Sequence, residues 1–119
     1  MLLNSFYTIL NSENNAGQIT ARIKLNAQHE IFNGHFPGNP VTPGVVQIQM
    51  IKEIAGEVLG KKLDLKSMHT CKFLKILNPV ECPELNIKIS TENIAEGIKL
   101  NATGEEGGAA FFKISAILS

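Results

Sequence analysis

Apolar and polar residues alternate along several short segments of the chain. "QITARIKL" places every second residue on one apolar face, and "ELNIKIS", "GIKLNA" and "AFFKISAIL" do the same. "MHTCKFLKIL" is a fifth, less regular segment. The turn signals between them ("NNAGQ", "NPVECPE", "ENIAEG" and "GEEGG") leave only short links. These features predict five or six strands joined as antiparallel hairpins.

One segment has the spacing of a long helix. Thr42 can cap it, Pro43 fits the first helical position, and Gly60 can end it. Apolar residues between them cover most of the helical circumference, which is typical of a buried helix. The polar stripe that remains consists of Gln49, Glu53 and Glu57.

A helix that is apolar nearly all round cannot be covered by one flat sheet. The pattern therefore predicts an α+β architecture in which a curved antiparallel sheet wraps one long helix. A chain of 119 residues suits a single domain, here residues 1–119. We found no internal repeat.

Composition narrows the functional classes. The formal net charge is zero, which argues against general nucleic-acid binding. Cys71 and Cys82 have neither CxxC spacing nor a matching histidine set, so we expect reduced thiols, a cytoplasmic protein, and no metal or other cofactor. The N-terminus lacks the features of a signal peptide, and no apolar run is long enough for a membrane span.

Candidate chemistry centres on the stretch "GHFPGNPVTPGV" at residues 34–45. Its glycines and prolines give the loop a specified shape, and His35 lies among them. An unperturbed histidine titrates near pH 6.5, which suits a general base, whereas His29 and His69 are expected to be structural or solvent-facing. The amides near Gly44 and Val45 begin the helix and can polarise a carbonyl oxygen. The alternative is that Thr42 and water cap these amides.

This stretch resembles the signature of the hot-dog-fold 3-hydroxyacyl-[acyl-carrier-protein] dehydratases. "EIFNGHF" upstream, with Glu30 and Phe32, and "CKFLKILNPV" downstream also fit that family. The resemblance implies that His35 removes a proton next to the thioester carbonyl, and that the Gly44 and Val45 amides hold the carbonyl oxygen. Phe36 and Pro43 are further expected substrate contacts. The product would be a trans-2-enoyl thioester, with the acyl chain in an apolar tunnel between two protomers.

The chain departs from that family at the acid. The family carries Glu or Asp fourteen residues after the motif histidine, where this chain has Gln49, and the family's glutamine one turn later is replaced by Glu53. Gln49 can orient a hydroxyl or a water but cannot supply a proton. Glu53 lies on the same helical face and is the candidate replacement acid. The alternative is an ordinary polar residue on an exposed or partly exposed stripe.

Three functions follow as hypotheses: a 3-hydroxyacyl-carrier-protein dehydratase, a non-catalytic hot-dog subunit that binds acyl chains or completes a partner's site, and an acyl thioesterase. The resemblance implies an acyl carrier protein as partner and a homodimer, or a larger assembly of dimers, with a heterodimer as the variant. A carrier protein is acidic, so a basic surface would receive it, or these lysines simply form a solvated face. The candidate lysines are Lys61, Lys62, Lys66, Lys72 and Lys75.

Overall fold

A six-stranded antiparallel sheet carries one long helix. The computed structural model describes residues 1–33 and 40–119. The strands are β1 (Tyr7–Asn15), β2 (Gln18–Leu25), β3 (Leu65–Phe73), β4 (Glu84–Ile94), β5 (Gly97–Glu106) and β6 (Ala109–Leu118), and the helix is α1 (Gly44–Leu59). The sheet order is β1-β2-β4-β5-β6-β3, and every pair is antiparallel. The predicted combination of one helix and an antiparallel sheet is confirmed.

The alternating segments form the core face of the sheet, as predicted. β2 buries Ile19, Ala21, Ile23 and Leu25, and β4 buries Leu85, Ile87 and Ile89. β5 and β6 contribute the buried residues Ile98, Leu100, Ala102, Phe112, Ile114, Ala116 and Leu118. Each strand presents these side chains at every second position because successive side chains of a strand point to opposite faces.

Strand β1 was not among the segments that the alternation identified. Its first residue, Tyr7, is buried, but its second half is polar and exposed. The strand exists because it pairs with β2 through a two-residue turn in which Ala16 and Gly17 have φ angles of 51° and 88°. Such positive angles match the tight turns that join twisted hairpins. The turn signal was therefore the only feature of the sequence that pointed to this strand.

The helix begins one residue later than predicted. Pro43, at φ −61° and ψ 150°, occupies the N-cap position rather than the first helical position, and it offers no side-chain cap. The prediction that Thr42 caps the helix is wrong, because Thr42 precedes the N-cap and its backbone N–H donates to the Leu77 carbonyl. The predicted end is confirmed, since Gly60 adopts the left-handed conformation (φ 68°).

The helix is buried against the sheet on one side only. Met50, Ile54 and Ala55 are fully buried, whereas Val45 near its start is 75% exposed. Beside this exposed start lie three further exposed apolar side chains at and after the end of β3: Phe73, Leu74 and Ile76. Within one protomer the helix is therefore covered on one side, and an uncovered apolar surface remains at the β3 edge.

Candidate functional site

The candidate site is built around the first three turns of α1. His35 and Phe36, the expected base and one expected substrate contact, lie outside the described residues. His29, at the other end of that loop, is structural: its Nδ1 accepts a hydrogen bond from the Ile31 amide, and its ring meets Phe6 edge-on at 5.6 Å. The described part of the site therefore consists of the helix start and of the polar stripe on the helix.

The start of the helix leaves two amides available. The Val46 and Gln47 amides both donate to the Pro43 carbonyl, at 3.1 and 3.2 Å. The amides of Gly44 and Val45 have no hydrogen-bond partner among residues 1–33 and 40–119. No acidic side chain occupies the first turn. Among the described residues, no side chain therefore compensates the positive end of the helix dipole.

A polar pair is buried behind the same turn. Thr42 and Gln47 are each 3% exposed, and the Gln47 amide nitrogen donates to the Thr42 carbonyl at 3.0 Å. The Thr42 hydroxyl and the Gln47 amide oxygen have no partner in the described part of the chain. The Thr42 hydroxyl therefore does not cap the Gly44 and Val45 amides, as the alternative interpretation would have required.

Gly44 has a packing role that the sequence did not reveal. A Cβ atom on Gly44 would lie 2.6 Å from Cε2 of Phe73, which is closer than real contacts of this kind. The absence of a side chain lets the helix start approach the end of β3. A larger residue at position 44 would therefore force the exposed Phe73 ring to move.

Glu53 is the most heavily hydrogen-bonded side chain in this part of the molecule. It is only 6% exposed, so its assignment to an exposed or partly exposed stripe is wrong. Its Oε1 accepts hydrogen bonds from the Leu2 amide (3.0 Å), the Leu3 amide (2.9 Å) and the Tyr7 hydroxyl (3.1 Å). Its Oε2 accepts from the Leu2 amide (2.9 Å) and from Nε2 of Gln49 (2.7 Å). We call the four donor residues Leu2, Leu3, Tyr7 and Gln49 the Glu53 clamp.

The clamp stabilises the ionised form of Glu53. Burial raises the pKa of Glu53, but the hydrogen bonds from Gln49, the two backbone amides and Tyr7 together outweigh burial and place it below its usual range. The pKa of Tyr7 is raised by its own burial and by the neighbouring Glu53 charge. Because Glu53 is held as a carboxylate, its surroundings weigh against the hypothesis that it donates a proton near neutral pH.

Gln49 and Glu53 line one side of a cleft of about 630 Å³ along the C-terminal half of the helix. Lys52, Lys61 and Lys62 also line this cleft, so two of the five lysines considered as a carrier-protein surface lie beside it. Lys66 and Lys75 have other contacts: Lys66 donates to the Glu96 carbonyl, and Lys75 lies 5.2 Å from the centre of the Phe111 ring. The basic surface is therefore split.

Sequence reasoning missed Leu2, Leu3 and Tyr7 as parts of the site. They lie 46 to 51 positions before Glu53, and two of them act through backbone amides. No sequence pattern could have linked them to Glu53. Across the described ranges we found no group of three or more His, Cys, Asp or Glu residues that could hold a metal ion. No helix of those ranges is long and apolar enough to cross a membrane.

Sequence comparison relates the chain to known dehydratases. The family described as ApeI-like, ApeI dehydratase, matches residues 11–111. The 3-hydroxyacyl-[acyl-carrier-protein] dehydratase FabZ of Ligilactobacillus salivarius is 30% identical over 87 residues, 67% of this chain and 61% of that protein. FabZ of Lactobacillus helveticus is 29% identical over 107 residues, 83% of this chain and 71% of that protein. The chain thus spans less than two thirds of the first of these relatives.

Two solved structures share the fold. The dehydratase heterocomplex ApeI:P from Xenorhabdus doucetiae superposes with a TM-score of 0.76 at 23% identity, covering 92% of this chain and 95% of that one. An uncharacterized protein from Erwinia carotovora subsp. atroseptica superposes with a TM-score of 0.69 at 19% identity, covering 94% of this chain and 92% of that one. The hot-dog fold implied by the sequence resemblance is confirmed.

Proposed function

The chain belongs to the ApeI-like dehydratase family, and on that premise we propose that it dehydrates a 3-hydroxyacyl thioester of an acyl carrier protein to the trans-2-enoyl thioester. The observation that carries the proposal is the pair of amides at Gly44 and Val45, which have no partner among the described residues and follow directly after the "GHFPGNPVTP" stretch of the sequence. The thioester oxygen gains negative charge as the neighbouring carbon loses a proton. Two fixed N–H donors at a helix start stabilise that charge more than they stabilise the ground state.

In the proposed reaction His35 takes the proton from C2, and the C2–H electron pair forms the double bond as the C3–O bond breaks. The departing hydroxide needs a proton to leave as water. Gln49 carries no acidic proton, and Glu53 is held ionised by the clamp. Gln49 therefore orients the leaving hydroxyl, and the proton that His35 took from C2 is returned through water to the departing oxygen, which balances the step. Absence of a positioned acid typically slows such a step by about 10²- to 10⁴-fold.

The absence of an acid at Gln49 supports a second candidate function. In it, this chain is a subunit that completes its site with a different dehydratase protomer. The Xenorhabdus doucetiae structure is described as a dehydratase heterocomplex, so a relative of this fold assembles in that way. A partner that carries Glu or Asp at the position of Gln49 would supply the missing proton to the site of His35. Thioester hydrolysis has less support, because the lone pairs of Glu53 that would activate water already accept four donors.

Oligomerisation is part of this proposal. Among the described strands, β3 is paired on one edge only, and apolar surface lies beside its other edge at Val45, Phe73, Leu74 and Ile76. Unpaired edges of this kind are usually covered in native proteins. We expect two protomers to pair through β3, and light scattering during size-exclusion chromatography should give twice the protomer mass of 12.9 kDa.

The test is turnover of a 3-hydroxyacyl carrier-protein thioester, followed by mass spectrometry of the 2-enoyl and free-acid products. For the first candidate the wild type alone forms the enoyl product and His35→Ala abolishes it. For the second, the wild type alone is inactive and Gln49→Glu gains activity that depends on His35. Formation of free acid instead of enoyl product would contradict both candidates and favour hydrolysis.

A further inference from the structure

The hydrogen bond between Gln49 and Glu53 fixes which end of the Gln49 amide is available to a ligand. Glu53 is held as a carboxylate and can only accept hydrogen bonds. The group that meets its Oε2 at 2.7 Å must therefore be the NH₂ of Gln49 and not its oxygen. The Gln49 amide oxygen has no partner in the described part of the chain, and Gln49 lines the 630 Å³ cleft.

The rest of the clamp holds Glu53 in place independently of Gln49. The Leu2 and Leu3 amides and the Tyr7 hydroxyl together make four contacts of 2.9 to 3.1 Å with the carboxylate. No lysine, arginine or histidine forms an ion pair with Glu53 among the described residues. A carboxylate that has no cationic partner still forms a charge-assisted hydrogen bond with the Gln49 amide, and such a bond is stronger than one between neutral groups.

We propose that Glu53 is a positioning residue that holds the Gln49 amide oxygen as an acceptor for a hydroxyl on the ligand. This inference rests on the proposed function: the hydroxyl is then the 3-hydroxyl of the acyl thioester. That hydroxyl donates its hydrogen to the Gln49 amide oxygen. The pair then selects 3-hydroxyacyl chains over acyl chains that lack the hydroxyl. This is recognition of the leaving group and not its protonation, so it explains a useful role for an amide at position 49.

The test measures binding without turnover. The probes are 3-hydroxyoctanoyl and octanoyl pantetheine amides, in which N–H replaces the thioester sulfur so that elimination is suppressed. Isothermal titration should show the wild type binding the hydroxylated probe more tightly, by roughly five- to tenfold for one neutral hydrogen bond. Gln49→Met, which keeps the length but removes both polar atoms, should abolish the preference.

Three variants separate positioning from structural support. Glu53→Gln lets the Gln49 amide turn either way, so the preference should fall to about twofold or less. Glu57→Gln is the matched control, because Glu57 is an exposed carboxylate one turn further along the same cleft and should leave the preference intact. Tyr7→Phe removes one donor from Glu53 without touching Gln49 and should lower stability while keeping the preference.

Probe binding tests the role of Glu53 and Gln49, and turnover tests the proposed function separately. Equal or absent binding of the two probes by the wild type, or a full preference retained in a folded Glu53→Gln variant, would overturn the inference. Turnover of the carrier-protein substrate alongside either result would leave the dehydratase proposal standing. A preference without turnover would instead support the inference and count against catalysis by this chain alone.

Discussion

Replacing Gln49 by Glu would place a second carboxyl group against a carboxylate that is already fixed. In the wild type, Gln49 Nε2 and Glu53 Oε2 are 2.7 Å apart. The new carboxyl has nearly the same length, so its oxygen would meet Oε2 at a similar distance. Two carboxylates this close cannot both be ionised, and they share one proton. The proton resides on residue 49, because Glu53 keeps its hydrogen bonds from Leu2, Leu3 and Tyr7.

The size of the effect follows from Coulomb's law. Two unit charges about 4 Å apart repel by about 4 kcal/mol at the effective dielectric constant of about 20 that suits such sites. The repulsion raises the pKa of the new carboxyl in the folded protein above the value of about 4.3 that it has in the unfolded chain. A folded-state pKa that is raised gives stability that is present below pH 4.3 and is lost as the pH rises above it. Gln49→Glu should therefore match the wild type near pH 4.5 and fall behind it by up to about 4 kcal/mol by pH 8.

The assay is denaturant unfolding of both proteins between pH 4.5 and pH 8. The double variant Gln49→Glu with Glu53→Gln is the control, because it has only one carboxyl in the pair and should show no such divergence. In the same series, turnover by Gln49→Glu should exceed that of the wild type by about 10²- to 10⁴-fold, since a carboxyl with a raised pKa is a competent acid at neutral pH. Parallel stability curves for the single variant and the wild type across this range would refute the reasoning.

Three other substitutions, two beside the site and one in the sheet, are tested by the free energy of unfolding. Tyr7→Phe should cost about 1.5 to 3 kcal/mol, since it removes a buried hydrogen bond to the charged Glu53; a neutral result would mean that the bond is not formed. Thr42→Val should be neutral or stabilising by about 1 kcal/mol, because the buried hydroxyl has no partner in the described residues; a large loss would reveal an unrecognised partner. Gly104→Ala should cost about 1 to 3 kcal/mol, because the new Cβ meets the fully buried ring of Phe112; unchanged stability would show that the ring can move aside.

Much of the fold could be predicted because burial repeats at a fixed period. The core faces of β2, β4, β5 and β6 follow from alternation, and Gly60 ends the helix as its backbone freedom suggests. Strand β1 could not be found in this way, because after Tyr7 it is polar and gains its place from pairing with β2. The prediction that Thr42 caps the helix was wrong for a local reason. Pro43 is itself extended and is the N-cap, so the helix starts one residue later.

Sequence analysis could predict only those features of the site that depend on residues close together in the sequence. The loop motif located the start of the helix, and helical spacing put Gln49 and Glu53 on one face. Their surroundings depend on contacts across the fold: the amides that grip Glu53 come from Leu2 and Leu3. Every residue other than proline has a backbone N–H, so the identity of a residue does not indicate that its amide contacts Glu53.

The exchange of acid and amide along the helix changes more than one residue's chemistry. With Glu at position 53, the negative charge of the pair lies inside the clamp, 6% exposed and satisfied by neutral donors. Position 49, on the cleft, then holds a neutral amide whose NH₂ already donates to Glu53. With Glu at position 49 and Gln at position 53, the negative charge would lie on the cleft. A neutral amide would then accept hydrogen bonds from Leu2, Leu3 and Tyr7. The free energy of the clamp and the chemistry of the cleft are therefore coupled, and neither Gln49 nor Glu53 can be changed alone without altering both.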